Sequence, residues 1–161
     1  MNKFALSCIL TSLIIVIEIL ASATGEALSL ITIVSTLFIY IICRKSMYLG
    51  TASYISVGLM LFLLNPHKMI VFIFINGLLG ITLGFYGKKV KAPAISLIIS
   101  GLMLTAGIIT AFSIIGIFTF KWYFIASIFL FSCAYAAIYL FIAGKAYNKI
   151  MILEKSIKER A

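Results

Sequence analysis

A chain of 161 residues that is 64% hydrophobic and only 11% charged has too much apolar side chain to hide in a soluble fold of its size. With a mean hydropathy of +1.24, it reads as one integral membrane domain whose solvent is the bilayer. The formal charge of +9 does not point to nucleic acid, because the basic residues fall in short segments between apolar runs and form no contiguous patch.

Six apolar runs follow one another, at 4–23, 27–43, 50–64, 69–87, 93–120 and 122–147. A helical span needs about 20 residues. None of the runs alternates in polarity as a barrel strand would. The expected fold is therefore all-α: a polytopic bundle of six transmembrane helices over 1–147, followed by a cytoplasmic amphipathic tail over 148–161.

The first run opens after Lys3 and carries Glu18. At 1.5 Å per residue Glu18 lies about 21 Å along the helix, in the outer third of a hydrocarbon layer about 30 Å thick. A charge there is costly, so the side chain is expected to face other helices or a wet cavity. The alternative is a carboxylate that reaches the headgroups or stays protonated against a neighbour. Ala21-Ser22-Ala23 also resembles a signal-peptidase site, which would leave five spans in the same orientation. Ser7 and Thr11, like Cys8 and Ser12, are four apart and form a seam of small residues along this helix.

The short connection after the first run holds Glu26; the next at this end holds Asn65-Pro66-His67-Lys68. His67 is the one histidine, with no second ligand at metal spacing. Cys8, Cys43 and Cys133 are odd in number, lack a CxxC pair, and read as small packing residues.

The fourth run contains Asn76, about 12 Å in from Lys68, an amide that needs partners at that depth. It acts either as helix glue or as lining of the cavity that Glu18 faces. Gly77, Gly80, Gly84 and Gly87 then recur on one face, with a GxxxG at Gly80 and Gly84. That spacing predicts a close helix contact, either internal or with another subunit.

The fifth run is long enough to hold a kink or a re-entrant end near Gly107 or Gly116. Trp122 and Tyr123 then suit an interfacial belt. In the tail, Ile150, Leu153 and Ile157 share a helical face, and Glu154 can pair with Lys158.

With both ends inside, the cytoplasmic segments hold Lys3, Arg44, Lys45, Lys88, Lys89, Lys91, Lys145, Lys149, Lys155, Lys158 and Arg160, while the outer loops hold only Lys68 and Lys121. The positive-inside rule thus predicts cytoplasmic termini. No nucleophile–base pair, HExxH or phosphate loop occurs, so no enzyme and no cofactor is expected.

"Gly50-Thr-Ala-Ser-Tyr" with "Asn76-Gly-Leu-Leu-Gly-Ile-Thr-Leu-Gly", in a chain of this length and span count, resembles the substrate-binding (S) components of energy-coupling-factor (ECF) ABC transporters. The resemblance implies a cell-membrane protein that binds a vitamin-like small molecule in an outward cavity. Its partners would be a coupling transmembrane protein and ATPase subunits. Glu18, Glu26, Asn76 and Trp122 are the expected ligand-binding residues. The family's A-x-x-x-A docking motif on the first helix is replaced here by Ser7/Thr11 and Cys8/Ser12. Two alternatives remain: a scaffolding membrane subunit of the rod-shape or envelope-assembly type without a transported ligand, and a small transporter acting alone as an oligomer.

Overall fold

The computed structural model describes residues 3–23, 32–89, 93–116 and 121–160. Six helices account for nearly all of them: α1 (Lys3–Ala23), α2 (Thr32–Lys45), α3 (Met47–Leu64), α4 (66–89), α5 (Pro93–Ile115) and α6 (Trp122–Arg160). Helices are what the solvent demands, because hydrocarbon offers backbone N–H and C=O groups no partner outside their own segment. Five of the six are long and apolar enough to cross a membrane. The exception is α2, whose described part has 14 residues, about 21 Å of helix. The chain is a multi-pass membrane protein.

Helix α2 is the centre of the bundle. Ser35, Thr36 and every residue from Ile39 to Cys43 are buried, and α1, α3 and α4 all pack around it. Glycine makes the closeness possible. A Cβ at Gly80 would lie 2.8 Å from the Thr36 carbonyl oxygen, and one at Gly84 would lie 2.6 Å from Cys43 Cβ. From α3, a Cβ at Gly50 would meet Cys43 Sγ at 2.1 Å. The glycine face of α4 is therefore spent inside the chain. Gly77 abuts the Tyr54 ring of α3, and only Gly87 is loose, with Leu140 at 4.0 Å from its Cβ position.

Helix α4 contains a feature that periodicity did not announce. Its α-helical ends, Pro66–Val71 and Leu78–Lys89, are joined by a π-helical turn, Phe72–Gly77. A π turn disturbs the regular hydrogen-bond ladder, and in lipid any carbonyl it displaces needs a partner. Tyr54 supplies one, its hydroxyl donating to the Ile73 carbonyl at 3.0 Å. The next carbonyl, Phe74, lies 1.9 Å from where a Gly107 Cβ would be, so α5 touches the π turn backbone to backbone.

Gly107 therefore marks a contact and not a kink, and α5 is continuous past it. The helix ends at Gly116, whose φ of +78° is the left-handed conformation of a C-terminal cap. This places the end of the fifth helix before residue 120, the end of the apolar run. Helix α6 runs unbroken through Tyr147 to Arg160, 39 residues and about 58 Å, roughly twice the hydrocarbon thickness. Arg44 ties α2 to it, with its guanidinium 4.5 Å from the Tyr147 ring centroid.

Helix α1 belongs to the same core, burying Leu6, Leu10, Ile14 and Ala21. Its small-residue seam is used against α3: Thr11 donates to Ser53 Oγ at 2.7 Å, and Ser7 and Ser53 share a hydrogen bond of 3.2 Å.

These contacts rank the glycines. Gly80→Leu and Gly107→Leu are expected to abolish recovery of folded monomer in size-exclusion chromatography, since overpacking costs about 1–3 kcal/mol even for milder insertions. Gly144, whose Cβ position meets nothing within 4 Å, should accept alanine with the elution profile and melting temperature of the parent.

Candidate functional site

Glu18 points into the bundle. It is 2% exposed, on the same α1 face as Ile14 and Ala21. Its carboxyl faces the Ser35 side chain of α2 and lies within electrostatic reach of Lys68 at the start of α4. Neither Glu18 Oε1 nor Ser35 Oγ, however, has a hydrogen-bond partner among the described residues. The same holds for Thr36 Oγ1, one residue along. Three buried oxygens at one level of the bundle are thus unpaired. Native interiors rarely leave such groups unpaired, and burial without a partner costs about 1–3 kcal/mol apiece.

The position follows from how α1 and α4 meet. Asn65 caps α4, its side-chain oxygen accepting from the Lys68 N–H at 3.2 Å, with Pro66 at the first helical position. The Asn65 amide also donates to Ser22 Oγ at 3.1 Å, and the Lys68 ammonium donates to the Ala21 carbonyl. One short turn therefore closes the end of α1 and holds a cation near Glu18. The Lys68 ammonium thus acts on the Glu18 carboxyl electrostatically while donating one hydrogen bond to that carbonyl.

On the other side of α2, Tyr139 of α6 donates to the Ile33 carbonyl at 2.6 Å and packs near Thr36. The polar level is bounded by α1 on one flank and α6 on the other, with α2 between.

The remaining candidates separate. Asn76 is 8% exposed, inside the π turn and four residues before Gly80, on the α4 element that also packs on α2. Trp122 is the first residue of α6 and 80% exposed, a placement that suits the headgroup level. Glu26 lies outside the described residues. Sequence reasoning did not single out Ser35, Thr36 or Tyr139. A serine–threonine pair inside an apolar run was the available signal, but such pairs usually bond their own helix.

A recess lies between α1 and α3. It has a volume of about 320 Å³ and is lined by Phe4, Ser7, Cys8, Thr11, Leu49 and Ser53, among others. No family model matches the chain, and neither a curated protein nor a solved structure shows significant similarity to it.

Replacing a buried carboxyl that has an unpaired oxygen by an apolar side chain of similar size relieves an unmet desolvation cost. Glu18→Leu is expected to raise the thermal unfolding midpoint of the detergent-solubilised protein, by the equivalent of about 1–3 kcal/mol. Asn65→Ala should lower it, by about 1 kcal/mol for the lost cap.

Proposed function

We propose that this protein is a membrane-embedded substrate-binding subunit. It would take up a small vitamin-like nutrient and be energised by a separate coupling membrane protein and ATPase subunits. The observation that carries the reading is the buried Glu18 carboxyl facing Ser35, with its Oε1 and the neighbouring Ser35 and Thr36 hydroxyls lacking a well-formed hydrogen bond among the described residues. A fold that needed only stability would fill this level with apolar side chains, whereas one that must recognise a polar ligand keeps acceptors there at a cost. A ligand with a cationic or multiply donating group suits such a set.

In this reading the protein lies in the cell membrane with both termini cytoplasmic, which the excess of basic residues at that end supports. The Glu18 level then lies toward the outer end of the bundle. The small-residue recess between α1 and α3 supports the docking surface that the resemblance to ECF S components implies. Energy coupling is assigned to partners because the sequence holds no phosphate-binding loop.

A second reading is a scaffolding subunit. It is favoured by the solid packing of Ile39–Cys43 against Gly50 and Gly84.

Gentle purification followed by native mass spectrometry distinguishes the two. The uptake reading expects a retained small molecule and co-purified ATPases, whereas wall-synthesis or division proteins in the pull-down would favour the scaffold. Glu18→Gln and Asn76→Leu should each weaken retention about tenfold or more, the scale of one hydrogen bond to a charged group. Binding unchanged in both would remove these residues from the site. For orientation, a cysteine at Lys121 should react with an impermeant maleimide in intact cells, and one at Lys149 only after permeabilisation.

A further inference from the structure

A lysine near the end of a membrane helix ordinarily sends its ammonium out to water or headgroups. Lys68 turns inward instead. Pro66 and His67, just before it, are exposed, whereas Lys68 is half-buried. Its ammonium donates to the Ala21 carbonyl and acts on the Glu18 carboxyl, three residues back on the same helix. The acceptors at this end of α1 exist without Lys68. The last carbonyls of a helix have no partner within it, and Glu18 Oε1 and Ser35 Oγ have none among the described residues. A tethered ammonium has moved into a place rich in acceptors.

The tether is light. No residue of Pro66–Val71, the piece of α4 that carries Lys68, is buried, and burial begins at Phe72, where the π turn starts. This piece packs on α3, whereas α1 packs on α2 and α3. Two side-chain bonds join it to α1 among the described residues, Lys68 to Ala21 and Asn65 to Ser22. Behind them Glu18 is 2% exposed and its Oε1 is closed off from solvent.

We infer that Lys68 is a built-in competitor, held at the outer end of α1 in the place of a ligand's primary ammonium group. The inference rests on the uptake reading and narrows its ligand, because the competitor's chemistry gives the ligand's. A lysine ammonium brings three donors, no acceptor and an unbranched four-carbon stem. A ligand with a primary ammonium on a slender alkyl chain makes the same hydrogen bonds once the 65–68 turn moves aside. A quaternary ammonium carries the charge without a donor and does not replace Lys68. A lysine that only capped α1 would lower stability when removed and open no site.

The test uses the full chain in detergent with n-butylammonium and tetramethylammonium chloride as probes, read as the rise of the thermal unfolding midpoint with concentration. Lys68→Met should respond to butylammonium at a half-saturating concentration about tenfold or more below the parent's, since a binding-competent state populated at one tenth weakens apparent affinity by that factor. Lys68→Arg, which keeps a cation on the tether, should match the parent. Ser22→Ala deletes the companion bond and leaves the Asn65 cap in place. It should lower the half-saturating concentration about two- to tenfold, the range of one neutral hydrogen bond, and it reads the same site if Lys68→Met does not fold. Adding Glu18→Gln to either variant should reverse the gain, and tetramethylammonium should shift none of them. An unchanged or absent butylammonium response in Lys68→Met and Ser22→Ala, or equal shifts from tetramethylammonium, would show a helix cap only and overturn the inference. Native mass spectrometry separates this outcome from that of the uptake reading. A retained ligand without an amine would leave uptake standing and overturn the competitor, whereas butylammonium binding without co-purified ATPases would do the reverse.

Discussion

The approach of α4 to α2 is the contact on which the rest of this bundle depends. Lipid gives helices no hydrophobic reason to associate, so association rests on how closely backbones can come. At Gly80 and Gly84 they come so close that a methyl group would collide with the Thr36 carbonyl or with Cys43. That contact holds α2 in the interior, and α1, α3 and α6 take positions around it. The unpaired oxygens of Ser35 and Thr36 are inside the protein because α2 is.

A helix at the centre of the bundle has a chemical consequence. Flanking helices can present one face to lipid and one to the core, but every described α2 residue is at least partly buried. Ser35 and Thr36, on adjacent positions, therefore look in different directions and both meet protein, α1 in one case and α6 in the other. Polar groups at the bundle centre would be a defect in a purely structural helix. Beside the buried Glu18 carboxyl they make a polar level in the bundle.

The π turn of α4 plays a comparable part on the other flank. It shifts the carbonyls of Ile73 and Phe74 out of the regular ladder, where Tyr54 and the bare backbone at Gly107 meet them. It also carries Asn76, and through Ile75 it lines an apolar recess shared with α5 and α6.

The sequence by itself determined the solvent, the helical class, the six apolar segments and the bias of charge to one end, because these depend on composition and on lengths along the chain. It also determined that Glu18 had to avoid lipid, since the cost of a charge in hydrocarbon is a property of the residue and its depth. Tertiary structure alone decided which helix is central, that the glycine face is spent internally, and that a π turn interrupts α4. It also decided that Ser35 faces Glu18, with Thr36 buried beside it. Those outcomes depend on which backbones approach and from which side, and a carbonyl 2.8 Å from a missing methyl leaves no mark on hydrophobic periodicity.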